Sequence, residues 1–108
     1  MTRLPDHVLI GPYRYSIHLT QQVKPKAEGR IGRIMFRKLR IEISNRVSVG
    51  RQQETLLHEI LHGLWETVGL PDGEKTSDES VIKSLSPILL DTLRRNPDVL
   101  AYLLETDE

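Results

Sequence analysis

The 108-residue chain contains no cysteine, which excludes disulfide bonds, thiolate metal sites and cysteine nucleophiles. Aromatic residues make up only 5 % of it, and no apolar run approaches the roughly 18–20 residues of a membrane-spanning helix. The first residues also lack the apolar segment of a secretory signal peptide. We therefore expect one domain over residues 1–108 that contacts no membrane and works in the cytoplasm.

The net charge is zero, but the two signs are unevenly distributed along the chain. Residues 1–53 carry 11 Lys or Arg and 3 Asp or Glu, whereas residues 54–108 carry 4 and 12. Such a polarised charge attracts an anionic partner or pairs the two halves with each other. Pairing within the chain is the simpler interpretation. A nucleic-acid partner has weak support, because the basic stretch from Arg30 to Arg40 is poorly interleaved with aromatics.

Alternating apolar and polar residues predict three strands in the first half of the chain. The first covers 13–20 and follows a turn at Gly11-Pro12, the second covers 31–37, and the third covers 39–44.

Helical spacing of apolar residues replaces the alternation from about Arg51. It predicts one helix that ends before Gly69, with Leu57, Leu61 and Leu64 among its core residues. A second helix is expected from Thr76-Ser77, and a short third one over 98–105. Because Pro87 lies inside the second helix, we expect a kink or break near 83–86. The order predicts an α+β domain, a small three-stranded sheet with helices packed on one side.

The residues that carry chemistry are His58-Glu59-Ile60-Leu61-His62, an H-E-x-x-H motif inside the first predicted helix. Two histidines four residues apart lie about 40° apart around a helix and ~6 Å apart along it, so both imidazoles can bind one Zn²⁺ ion. Glu59 lies about 100° away from His58, too far round to ligate but able to accept a proton from a water on the metal. The motif predicts metal ligands at His58 and His62 and a catalytic general base at Glu59.

A third zinc ligand is needed, and a carboxylate at the start of the second helix is the favoured candidate. Asp72 and Glu74 lie in the turn after the first helix, ~10 Å or more from the motif. Glu79 is preferred because it shares a helix face with Ile82 and Leu89, and Asp78 is the alternative. Glu79 could instead close a capping box with Thr76 at the helix start.

These segments resemble the small phage-type zincin metallopeptidases related to the ImmA/IrrE family. The resemblance rests on Ile41 to Ser44, Thr55 to His62 and Asp78 to Ile82, and it covers roughly residues 30–95. It implies a minimal zincin-like domain, a strand leading into the HExxH helix, a glutamate ligand on the next helix, and a phage or prophage origin in a host cytoplasm. Pro87 departs from the family pattern.

We therefore predict a zinc metallopeptidase whose substrate is a protein or peptide, bound as an extended strand at a sheet edge such as 39–44. The alternative is a non-catalytic phage module that keeps zinc for stability. A third hypothesis is a protease acting on proteins bound to nucleic acid. The sequence predicts no oligomeric state.

Overall fold

The computed structural model describes residues 3–21, 23, 31–71 and 77–106, which form a four-stranded mixed sheet with three helices. None of these helices is long and apolar enough to cross a membrane. The elements are β1 (His7–Ile10), β2 (Tyr13–Thr20), β3 (Gly32–Met35), β4 (Arg40–Ser44), α1 (Val49–Val68), α2 (Asp78–Arg95) and α3 (Pro97–Leu104). The α+β class is confirmed, whereas the count of three strands is wrong.

The extra strand is β1, which forms a hairpin with β2 through the predicted turn at Gly11-Pro12. Val8 and Ile10 of β1 are fully buried, so this strand contributes to the core. The sheet order is β1-β2-β4-β3, with β2 and β4 parallel and the other two pairs antiparallel. The second predicted strand is shorter than expected, because Phe36 to Leu39 form the turn into β4.

One face of the sheet packs against the helices and forms the hydrophobic core. Alternation along the strands sends Tyr15, Ile17, Ile41 and Ile43 to this face, while their neighbours point to the opposite face. The buried core residues from all elements are Val8, Ile10, Tyr15, Ile17, Ile41, Ile43, Leu56, Ile60, Leu64, Val99 and Tyr102.

α1 is rotated about its axis relative to the prediction, so that the residue before each of two expected core leucines is buried in its place. Leu56, Ile60 and Leu64 are buried, whereas Leu57 and Leu61 are 43 % and 45 % exposed. α1 has apolar residues on more than one face, and its approach to the sheet is selected by Gly63. A Cβ at Gly63 would lie 2.8 Å from Cδ1 of Ile10 on the sheet. The absence of a side chain there lets the helix lie closely on the strands.

α2 runs without a break from Asp78 through Pro87 to Arg95, so the break expected near 83–86 is absent, while the kink expected as its alternative stays a prediction. Its N-cap is Ser77, whose hydroxyl accepts a hydrogen bond from the Ser80 backbone N–H. Thr76, the alternative capping residue, lies outside the described residues. α3 follows after Asn96 and matches the predicted third helix.

The outer edge of β1 is closed by the buried side chain of Asn96. Its Oδ1 accepts from the Leu9 N–H at 2.7 Å, and its Nδ2 donates to the Leu9 and Thr92 carbonyls at 2.8 and 2.7 Å. The Asn96 amide therefore takes the place of a neighbouring strand at Leu9 and joins the sheet to the α2–α3 junction.

Candidate metal centre and its cleft

The two motif histidines lie side by side on the exposed face of α1. α1 is fixed at both ends, because the Ser48 hydroxyl accepts from the Arg51 N–H and Gly69 ends the helix with φ 70°. The Nε2 atoms of His58 and His62 are 3.1 Å apart, and the ring centroids are 4.8 Å apart. This separation allows a hydrogen bond between the two rings, and it brings both Nε2 atoms together above the helix surface.

Glu59 lies on the same stretch of α1 but on its inner side, where only 6 % of the residue is exposed. Its carboxylate is next to Gly32 of β3, since a Cβ added at Gly32 would lie 3.2 Å from Oε2 of Glu59. The same Cβ would come closer than 3.0 Å to Cγ2 of Thr55. A glycine at position 32 is therefore what allows the Glu59 turn of α1 to lie directly against β3.

A cleft of about 460 Å³ opens between this part of α1 and strand β3. The Glu59 carboxylate lies at the floor of this cleft, and both histidines lie at its rim. The motif therefore faces a space large enough for part of a peptide. Ile31, Ile34 and Phe36 supply apolar walls, and Arg33, Arg51 and Glu54 supply charge.

The strand that borders the cleft is β3, which is an edge strand and pairs on one side only among the described residues. The Ser44 N–H donates to the Ile31 carbonyl at 2.8 Å, which makes Ile31 and Ser44 a hydrogen-bonded antiparallel pair. Since such pairs alternate with non-bonded ones, the N–H and C=O groups of Gly32 and Ile34 point away from β4. β4 itself pairs with β2 and β3, so the prediction that 39–44 offers a free edge is wrong.

The predicted third ligand does not join the two histidines. Among the described residues, no three His, Cys, Asp or Glu side chains are grouped where they could hold one metal ion. Glu79 is exposed, and so is Ile82 at 58 %, so the face expected to point inward points to solvent. Asp78 is exposed as well. α2 instead turns Thr92 into the interior, because Asn96 anchors the other end of this helix.

Sequence reasoning did not place the other eight lining residues of the cleft in a site: Ile31, Gly32, Arg33, Ile34, Phe36, Arg51, Glu54 and Thr55. Glu54 was the easiest to find. Glu54, His58 and His62 follow one another at intervals of four residues, which places all three on one helix face. The signal for Gly32 was weaker, a glycine inside a strand pattern, which often marks a close approach of another backbone. Asp72 and Glu74 lie outside the described residues.

Comparisons of the chain with known protein families, with curated proteins and with solved structures find no match.

Proposed function

We propose that the protein is a zinc-dependent metallopeptidase in which His58 and His62 bind the metal and Glu59 is the general base. The observation that carries this proposal is the 3.1 Å separation of the two Nε2 atoms, at the rim of a cleft whose floor holds a buried carboxylate. The resemblance to small zincins of the ImmA/IrrE type points to the same chemistry.

The donor set fits zinc by distance as well as by chemistry. Two nitrogens bound to one Zn²⁺ at about 2.0–2.1 Å and at a tetrahedral angle are about 3.3 Å apart. The His58–His62 separation is within a few tenths of an ångström of that value. When bound, the metal would supply a Lewis acid that polarises a peptide carbonyl and acidifies water.

The roles of the chain's own residues follow from their positions. The Glu59 carboxylate can accept a proton at the cleft floor, and its burial against Gly32 restricts the directions in which it can turn. The outward N–H and C=O groups of Gly32 and Ile34 can pair with the backbone of an extended peptide. The substrate would then be held along β3, beside the two histidines.

The third ligand in this proposal is a carboxylate; Glu79 and its alternative Asp78 stay candidates from the sequence, although the structure leaves both exposed and apart from the two histidines. Glu54 joins them as a candidate, because it lines the same cleft as the histidines. Zinc titration of Glu79→Ala, Asp78→Ala and Glu54→Ala variants separates the three, since only the true ligand weakens zinc binding when it is removed.

The alternative function is a non-catalytic module that keeps zinc for stability. It predicts the same metal content but no hydrolysis.

A Glu59→Gln variant tests catalysis directly. Glutamine has nearly the same shape but cannot accept the proton, so cleavage should slow by ~10²–10⁴-fold while zinc content stays unchanged. Since the substrate is unidentified, a cell lysate is incubated with each protein and new peptide termini are identified by mass spectrometry.

Asp91→Asn is the control, because Asp91 is an exposed carboxylate on α2 that does not line the cleft. Cleavage by the wild type and the control but not by Glu59→Gln is the expected result. Equal cleavage by all three would remove Glu59 as the base, and no wild-type cleavage would favour the zinc-stabilised module.

A further inference from the structure

The sheet face that points away from the helices carries a concentration of positive charge. The described residues from 3 to 46 contain only two carboxylates, Asp6 and Glu42, and Asp6 lies 3.7 Å from a guanidinium nitrogen of Arg3. Lys and Arg side chains in this range stand at positions 3, 14, 33, 37, 38, 40 and 46. Because these residues form the sheet and the later residues form the helices, the sheet layer carries the excess of positive charge.

Five of these cations form what we call the basic face: Arg14 of β2, Arg33 of β3, Arg40 of β4, and Arg37 and Lys38 of the β3–β4 turn. Alternation places the three strand residues opposite the core, because Tyr15 and Ile41 next to Arg14 and Arg40 are buried. Arg40 pairs with Ser16 across β2 and β4, so Arg14 lies two residues further toward the turn, about 6–7 Å along the strand.

Two of the four guanidinium groups are held in place by one buried carboxylate. Glu42, only 3 % exposed, accepts from Nε of Arg40 at 2.7 Å and from Nε of Arg33. Arg40 also approaches Nε2 of His18 at 3.1 Å through Nη1. A guanidinium has five N–H donors, so both arginines keep donors that Glu42 does not use. The carboxylate fixes their direction and cancels only one of the two charges.

The turn displays its two cations in an exposed and fixed position. Arg37 and Lys38 are exposed, and the following Leu39 has a φ of 50°, in the left-handed region that a leucine rarely adopts. Leu39 nevertheless packs on the core, and its carbonyl accepts from the Ser16 N–H at 2.9 Å. These contacts hold the backbone of the turn, which places Arg37 and Lys38 next to Arg40 at this end of the sheet.

We infer that the basic face binds the phosphate backbone of duplex DNA without reading its sequence. Phosphate neutralisation by Lys and Arg is the sequence-independent term of DNA binding, and duplex DNA carries one charge per ≈ 1.7 Å of its axis. Phe36, the aromatic residue of the β3–β4 turn, is 37 % exposed and lines the cleft, so the five cations themselves offer charge rather than a stacking platform for single strands. The basic face adjoins the cleft, because Arg33 also lines it, but DNA binding goes beyond the proposed peptidase activity.

The test is fluorescence anisotropy of a labelled 20-base-pair duplex, titrated with the full chain at several salt concentrations between 50 and 200 mM. About four or five phosphate contacts predict a slope of log K against log salt near −4. The Arg37→Gln/Lys38→Gln variant should lower the magnitude of this slope by about two and weaken binding at least tenfold.

The control is Lys83→Gln/Arg94→Gln, which removes the same charge from two exposed positions of α2. It should bind the duplex as the wild type does. The inference is overturned if the wild type shows no binding at 50 mM salt, or if both variants lose affinity equally. It is also overturned if an unlabelled single strand of the same length competes as well as the duplex, or if phosphatidylserine vesicles bind and the duplex does not.

Discussion

Replacing Gly32 with alanine tests the close approach of β3 to the Glu59 turn of α1. The added Cβ would come closer than 3.0 Å to Cγ2 of Thr55 and within 3.2 Å of both Oε2 of Glu59 and the Glu42 carbonyl. Thr55 and Glu59 are buried, so neither side chain can turn into solvent. Relief requires a shift of α1 away from the strand.

The size of the effect follows from two opposing contributions. Overpacking of this kind costs about 1–3 kcal/mol, whereas Gly→Ala stabilises by about 0.4–1 kcal/mol through the unfolded chain. We expect a net loss of about 1–2 kcal/mol in the free energy of unfolding, which lowers the Tm of a domain of this size by about 4–8 °C. Thermal and urea denaturation measure both values.

Two further variants make this result specific to the contact. Thr55→Ser removes the obstructing Cγ2 and keeps the hydroxyl that donates to the Arg51 carbonyl at 2.6 Å, so it should restore most of the stability of Gly32→Ala. Gly50→Ala is the matched control, because no atom lies within 4 Å of its added Cβ. It should stabilise the helix by about 0.5–1 kcal/mol. The reasoning fails if Gly32→Ala is as stable as the wild type, or if Thr55→Ser restores nothing.

Two other predictions concern residues outside the metal centre. Burial by itself raises the pKa of Glu42, but hydrogen bonds from Arg40 and Arg33 outweigh it and hold this pKa below its ordinary value of 4.5. The stability that this carboxylate contributes is therefore fully present above about pH 4.5 and is lost as the pH falls through the lowered folded-state value. Urea denaturation of Glu42→Gln below pH 4.5 should show a weaker dependence on pH than the wild type, and an unchanged dependence would contradict the assignment. Asn96→Ala should cost about 1–3 kcal/mol, because it leaves the part-buried N–H and C=O groups of Leu9 without the Asn96 amide. Urea denaturation with a loss below 0.5 kcal/mol would show that the Asn96 amide does not close the β1 edge.

The sequence was informative wherever a local pattern decides the structure. The extent of α1 followed from apolar spacing and from Gly69, and β4 followed from the alternation of Ile41 and Ile43. β1 was missed because four residues before a turn are too few to show alternation. The strand becomes evident only when Val8 and Ile10 are buried beside β2.

The candidate site was predictable in part for the same reason. His58, Glu59 and His62 are close in sequence, so helix geometry alone places the two histidines together. The position of Glu79 depends instead on how α2 packs, and that is decided at its far end by Asn96 and Thr92. Which residues form the cleft wall likewise depends on how β3 pairs with β4. The sequence of β3 by itself does not reveal this pairing.

The most direct test of the central claim is the zinc content of the purified chain, measured by inductively coupled plasma mass spectrometry. The proposal predicts about one zinc per chain in the wild type and none in either His58→Ala or His62→Ala, because each variant removes one of two converging ligands. His7→Ala, which changes a histidine of β1, should keep full zinc. Wild-type protein without zinc after reconstitution, or full zinc in both motif variants, would contradict the account.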